Sequence, residues 1–217
     1  MPLSETLRLG PTQWDPGRIF TSLALIERDL SILGEMIADL VRFLHESDLG
    51  VRSIKRHERI SWVVGGLARR AMFCNVSKLR AHLGPCAVGF FGERRTALDM
   101  GPLEGANSAI VAQFVDYPGI LSYSSVELPN GYWANLVLHD DPVDTRYWSR
   151  GELHAQAART LSPLHYRNVR IHNARLTDRL EGSPGFDLLR TKYWDYEGTD
   201  GWSAVRELVA TPDRPTH

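Results

Sequence analysis

Residues 120–139, ILSYSSVELPNGYWANLVLH, predict a β-hairpin. Ile120–Leu128 and Tyr132–His139 are rich in the β-branched, aromatic and apolar residues that favour strands. Pro129–Asn130–Gly131 joins them, and Asn-Gly tolerates the positive φ that a tight hairpin turn requires. The hairpin therefore places two neighbouring antiparallel strands in the middle of the chain.

The segments on either side of this hairpin extend the pattern. Ala87–Phe91 is a short apolar run that predicts a buried strand, and Leu103–Asp116 has helical spacing. After the hairpin, Tyr147–Leu161 predicts a helix and Tyr166–Leu176 a last strand. The order β-α-β-β-α-β is that of a ferredoxin-like unit, whose antiparallel sheet carries both helices on one face. The predicted fold class is therefore α+β, and a second such sheet is the simplest cover for the other face.

The N-terminal part predicts a long helix. Asp15 is a good N-cap, Pro16 fits the first helical position, and Gly50 fits a stop shortly after Glu46. A heptad-like apolar seam follows this helix at Ile19, Leu23, Ile26, Leu30, Leu33, Ile37, Leu40 and Leu44. The seam packs either on the chain's own second helix or sheet, or on a second copy of the chain.

Residues 51–66 fit either a hairpin or a helix, and the spacing from Leu67 to Leu83 predicts another helix. We therefore divide the chain into a mainly helical N-terminal region (1–84), an α+β domain (85–176) and a C-terminal extension (177–217). The N-terminal region is either a degenerate copy of the α+β unit or an added dimerisation or lid element, and we favour the added element.

Composition narrows the class of protein. The 217 residues include 25 basic and 26 acidic ones, and this balance lacks the basic surplus of a typical nucleic-acid binder. Two cysteines exclude a disulfide framework and a four-cysteine zinc site. The N-terminus has no apolar signal segment, and the longest nearly apolar run, Ile60–Ala68, is too short to span a bilayer. We expect a cytoplasmic protein that binds a small molecule rather than nucleic acid or a membrane.

Several short motifs in the α+β domain suggest a family. Phe114–Tyr123 (FVDYPGILSY), Tyr132–Leu138, Tyr147–Trp148 and Leu153–His154 resemble segments of antibiotic biosynthesis monooxygenase-like domains. The resemblance covers about residues 86–176, under half of the chain. It implies a homodimeric α+β barrel in which two sheets enclose a pocket. Members of this superfamily include cofactor-free oxygenases of aromatic polyketides, heme-degrading enzymes and proteins of no known activity.

The resemblance leaves the cofactor open between none and heme. In the heme-degrading members, an iron-ligating histidine follows the helix tryptophan by about three turns. Counted from Trp148, that region here reads Ala155–Gln156–Ala157–Ala158–Arg159. Heme ligation would therefore fall to His154 or His165.

Alternation along two strands predicts the pocket. One predicted face carries Trp133, Asn135, Val137 and His139 from the hairpin, with Tyr166, Asn168, Arg170 and His172 from the last strand. We interpret His172, Arg170 and His139 as catalytic, because imidazole accepts a proton from a phenol and guanidinium holds a developing oxyanion. We interpret the following residues as substrate-binding: Trp133, Asn135, Tyr166, Asn168 and Trp148.

These expectations define a leading function and two alternatives. The leading one is a monooxygenase-like enzyme of secondary metabolism that acts on an aromatic or polyketide-like molecule. The first alternative is a heme-dependent enzyme of the same barrel type. The second is a non-catalytic binding or assembly protein that uses the long N-terminal helix.

Overall fold

The computed structural model describes residues 6–95, 98–99, 101–129, 132–143, 151–197 and 201–208. Its strands are β1 (Leu7–Leu9), β2 (Arg59–Val64), β3 (Leu67–Phe73), β4 (Cys86–Arg94), β5 (Ile120–Glu127), β6 (Tyr132–His139), β7 (Tyr166–Leu176), β8 (Phe186–Asp195) and β9 (Trp202–Glu207). Its α-helices are α1 (Leu23–Asp48), α2 (Val76–Ala81), α3 (Gly101–Ala112), α4 (Glu152–Gln156) and α5 (Ser162–His165). A π-helical turn, Ala157–Leu161, joins α4 to α5.

All the described strands form one sheet. Its order is β1-β9-β8-β7-β4-β6-β5-β3-β2, and neighbours are antiparallel except β1 and β9. The chain is thus mixed α+β, as the sequence predicts. Between Cys86 and Leu176 the elements follow the order strand, helix, strand, strand, helical segment, strand, and these four strands are neighbours in the sheet.

The predicted hairpin is confirmed at its strands. Val126 lies opposite Ala134 and Ser124 opposite Leu136, and the Leu128 amide donates to the Tyr132 carbonyl oxygen at 3.0 Å. Residues 130 and 131 of the turn lie outside the described part of the chain.

The long helix α1 covers one face of the sheet, which we call the α1 face. Leu33, Met36, Leu40 and Leu44 are buried there against apolar residues of the central strands, including Leu136. The seam therefore packs on the chain's own sheet, the first of the two predicted alternatives. The prediction that a second sheet covers this face is wrong, because α1 occupies it. A homodimer stays a prediction.

The N-terminal region is less helical than predicted. Residues 67–73 form β3, which pairs with both β2 and β5, and helical structure resumes only in α2. Residues 59–64 form the strand β2, but residues 51–54 form no strand, so a hairpin within residues 51–66 is wrong. β2 instead pairs with β3, and Gly65 and Gly66 form the turn between them with φ of +59° and +82°. The helical spacing was misleading because Met72 belongs to the strand while Val76 and Leu79 belong to the short helix that follows.

The ends of α1 differ in how well the sequence predicts them. Gly50, with φ of +70°, follows the helix end as predicted. The start lies at Leu23 instead of Pro16, because the Asp15 carboxylate accepts the Gly17 amide in a tight turn and a short 3₁₀ helix intervenes.

The helices α3, α4 and α5 lie on the other side of the sheet, which we call the α3 face. Phe114, directly after α3, packs there with Met72, Tyr123 and Val137. The predicted C-terminal extension contributes β8 and β9 to the same sheet. Among the described residues, every helix is too short or too polar to cross a membrane.

The contact between α1 and β4 depends on a missing side chain. A Cβ atom at Gly89 would lie 2.6 Å from Cδ1 of Leu33, which is fully buried. We expect Gly89→Val to destabilise the protein by about 1–3 kcal/mol, although valine favours strands, because α1 must shift away. Urea unfolding measures this. Gly34→Ala on α1, where nothing lies within 4 Å, should instead stabilise by about 0.5–1 kcal/mol. Equal changes in the free energy of unfolding in Gly89→Val and Gly34→Ala would contradict the close contact between Gly89 and Leu33.

Candidate functional site

The sheet register separates the predicted site residues into two groups. Gly89 lies opposite both Leu136 and His172, whereas Phe90 lies opposite both Asn135 and Ile171. Residues opposite each other share a face. Arg170, His172 and Asn168 therefore belong to the α1 face, and Trp133, Asn135 and His139 to the α3 face.

The prediction that these residues line one pocket face is wrong. That prediction placed the apolar residues of β6 and the apolar residues of β7 on the same side of the sheet. In the structure Ala134, Leu136 and Leu138 face α1, whereas Val169 and Ile171 face the other side. Helices cover both sides of the sheet, so both sides carry apolar residues. The apolar residues of a strand therefore do not reveal which side of the sheet they face.

Tyr166 is an exception to the alternation of β7. The pairing of β4 with β7 shifts register at Glu93–Arg94, so Tyr166 pairs with Arg94 while Asn168 pairs with Glu93. A bulge of this kind re-aims a side chain. The Tyr166 ring consequently lies over Gly92 on the α3 face, where an added Cβ would be 2.5 Å from it.

The predicted catalytic residues of β7 belong to a buried network on the α1 face. Arg170 donates to Asp29 of α1 through two bonds, Nε to Oδ2 at 2.6 Å and Nη2 to Oδ1 at 2.9 Å. His172 Nε2 is 2.9 Å from the same Oδ2, and its Nδ1 is 2.9 Å from Thr191 Oγ1. We call these four residues the Asp29 network.

The arrangement assigns the proton positions of His172. The Nε2 nitrogen faces a carboxylate, so it carries the hydrogen, and Nδ1 accepts from the Thr191 hydroxyl. Burial lowers the pKa of His172, Asp29 raises it, and Arg170 and Arg206 lower it further, with a net lowering. The imidazole is therefore neutral near pH 7.

The network continues toward the surface. Arg170 Nη1 lies 3.4 Å from the Tyr132 hydroxyl, which donates to Glu93 Oε2 at 2.9 Å, and Asn168 Nδ2 donates to the same oxygen at 2.7 Å. The order hydroxyl, imidazole, carboxylate in Thr191, His172 and Asp29 matches a nucleophilic triad. All three residues are at most 2% exposed, so a substrate cannot reach the hydroxyl, and the network links α1 to the sheet.

A second group of polar and aromatic side chains lies on the α3 face. Trp133 is flanked by two guanidiniums, with Arg94 Cζ 4.4 Å and Arg70 Cζ 5.6 Å from its ring. We call these three residues the arginine–tryptophan cluster. Next to Trp133 on β6, Asn135 Oδ1 accepts from the Tyr123 hydroxyl at 3.0 Å.

Aromatic rings border this cluster. Tyr166 packs edge-on against Phe90 with ring centroids 5.4 Å apart. Burial raises the pKa of Tyr166, and it also raises that of Tyr123, an effect that the charges of Arg70 and Arg59 partly offset. Both phenols therefore stay protonated and serve as hydrogen-bonding groups rather than as bases.

A cavity of about 170 Å³ lies between the helices that cover this face. It is lined by Ala106, Ala109, Leu153, Gln156, Ala157, Thr160 and Leu161. It is an open groove, since Ala109, Leu153, Gln156 and Thr160 are exposed, and Trp133, Asn135 and Tyr166 do not line it.

The comparisons with known proteins return no relative. No family model matches the chain, and no curated protein or solved structure matches it significantly. The resemblance to antibiotic biosynthesis monooxygenase-like domains thus stays a prediction.

The other predicted residues lie apart from both groups. His139 is fully buried at the far end of β6, about 20 Å along the strand from Trp133. Burial lowers its pKa to about 4, so it is neutral at pH 7. His154 lies on α4, His165 bonds the carbonyl oxygens of Leu161 and Asp99, and Trp148 lies outside the described residues. In the described part of the chain, no three His, Cys, Asp or Glu side chains are grouped for a metal.

Several members of these groups were not predicted from the sequence. Asp29 lies three residues after Ile26 and four before Leu33, inside the apolar stripe of α1. A carboxylate at such a position predicts a buried polar partner, and this signal was present in the sequence. Arg70 and Arg94 gave no comparable signal, because their strands are brought together only by the sheet order.

Proposed function

We propose that this protein binds a small aromatic or polyketide-like molecule on the α3 face, beside Trp133, Asn135 and Tyr166. The proposal rests on one observation: three of the five residues interpreted as substrate-binding gather on this face, next to the ring of Phe90. The class of ligand is the one that the sequence predicts for a monooxygenase-like enzyme.

The chemistry of the face supports binding of a ring that carries an oxygen substituent. Phe90 and Tyr166 offer aromatic surface, and rings in edge-to-face or offset contact gain stability beyond their buried area. The Asn135 amide and the Tyr123 hydroxyl supply hydrogen-bonding groups beside this surface. A few convergent polar groups in an apolar wall are typical of small-molecule sites.

The predicted catalytic residues do not reach this ligand. Arg170 and His172 lie on the α1 face, and His139 is neutral and distant. We therefore propose binding of the ligand. A monooxygenase-like reaction is tested separately, by measuring oxygen uptake in the presence of the bound ligand.

Calorimetric titration with 2-naphthol tests the proposal. We expect saturable binding that weakens about tenfold in Phe90→Ala, because the ligand loses the aromatic surface beside Tyr166. Ala106→Phe on α3 is the control and should leave the affinity unchanged, since Ala106 lines the separate opening between the helices. Asn135→Leu should weaken binding by a similar factor through the lost hydrogen bond.

Two outcomes would contradict the proposal. One is the absence of saturable binding in the unmodified protein. The other is equal affinity in the Phe90→Ala and Ala106→Phe variants, with both folded by circular dichroism.

A further inference from the structure

We infer that the ligand of the α3 face is an anion, and that the paired guanidiniums of Arg70 and Arg94 hold its negative group. The inference deepens the proposed function and rests on it, because it names the charge of the molecule bound at the same site. A carboxylate or an enolate attached to the ring fits this requirement.

The first step is the spacing of the two arginines. Both guanidinium carbons lie within 6 Å of the Trp133 ring, at 4.4 and 5.6 Å, although Arg70 comes from β3 and Arg94 from β4. Stacking on an indole stabilises a cation and fixes the plane of its guanidinium. Trp133 therefore contacts two like charges that come from strands that are not neighbours.

The second step is the absence of a counter-ion. Among the described residues, neither guanidinium has a carboxylate oxygen within 4.0 Å. The Arg94 Nε atom is buried and has no hydrogen-bond partner there. Many other arginines of this chain form ion pairs, including Arg18, Arg42, Arg69, Arg80 and Arg170. A buried donor without a partner is costly, and an anionic ligand would satisfy it.

The third step is the charge around the cluster. Arg59 of β2 also lies close enough to lower the pKa of Tyr123 through its charge, as does Arg70. An acidic residue of the same face is Glu127, which pairs with Trp133 across β5 and β6. Arg59, Arg70 and Arg94 thus bring three positive charges to this face, and a positive cleft with low-dielectric walls attracts anions.

The fourth step is access. Arg70 and Arg94 are each partly exposed, whereas Trp133 is only 8% exposed. The ligand's negative group would meet the arginines at the rim, and its ring would lie deeper beside Phe90 and Tyr166. Two guanidiniums that face one carboxylate can bind it through several charge-assisted hydrogen bonds.

A pair of isosteric ligands tests the inference. We expect 2-naphthoate to bind at least tenfold more tightly than neutral 2-naphthamide at low salt, and this ratio should fall as sodium chloride is raised. Arg94→Gln should weaken naphthoate binding about tenfold and leave naphthamide binding within twofold. Arg70→Gln should act in the same direction. Arg28→Gln, an exposed arginine of α1, is the matched control and should change neither affinity.

The outcomes separate the inference from the proposed function. Equal affinity for the two ligands, or equal loss of both in Arg94→Gln, overturns the anion inference while binding of the ring stands. Failure of both ligands to bind the unmodified protein overturns both. Circular dichroism and urea midpoints of each variant verify that a lost affinity does not come from unfolding.

Discussion

Asp29→Asn is expected to destabilise the protein by about 3–5 kcal/mol, because it removes one partner of a buried ion pair and leaves the other charge uncompensated. Arg170 and Asp29 are each 2% exposed, so water cannot replace the lost carboxylate. Asparagine keeps the shape, but its NH₂ group would face a donor of either Arg170 or His172. The free energy of unfolding from urea titration measures the effect.

A surface ion pair on the same helix provides the control. Asp48 pairs with Arg80, and its side chain is 54% exposed, so Asp48→Asn should cost less than about 1 kcal/mol. Replacing Asp29 and Arg170 together by leucine and methionine should recover part of the stability lost in Asp29→Asn, since no buried charge is then left alone. A loss below about 1 kcal/mol in Asp29→Asn would show that the network does not hold α1 on the sheet.

The local elements of the fold were largely predictable because their signals are local. The strands of the central hairpin lie within one residue of the prediction, since alternation and turn residues act within a few positions. The apolar seam of α1 similarly identified a helix and its buried side. Residues 67–73 were predicted wrongly, since β3 acquires its conformation from β2 and β5 on either side.

The candidate site was less predictable, because it depends on which strands become neighbours and on which face of the sheet each side chain lies. Trp133 and Arg94 meet through the pairing of β4 with β6, and Tyr166 joins them through a bulge in β7. A bulge moves the preceding residues to the opposite face of the sheet, and no residue of β7 predicts this bulge. The same alternation argument therefore placed Asn135 and His172 together, although they lie on opposite faces.

Acidification should destabilise the protein through its buried histidines. Burial lowers the pKa of His139 to about 4, against about 6.5 for an unfolded chain, and burial likewise lowers the pKa of His172. A lowered folded pKa means that the unfolded chain binds more protons, so the stabilising contribution is complete above about pH 6.5 and is lost below it. For His139 the loss reaches about 3 kcal/mol at pH 4.

Urea unfolding of His139→Leu between pH 7 and pH 4 isolates this contribution. We expect the stability of the variant to fall by about 3 kcal/mol less over this range than that of the unmodified protein, because the leucine cannot take up a proton. His45→Gln is the matched control: His45 is exposed on α1, so the variant should keep the full dependence on pH. A pH dependence unchanged in His139→Leu would mean that the folded imidazole takes up its proton as readily as the unfolded one, in conflict with its complete burial between β4 and β5.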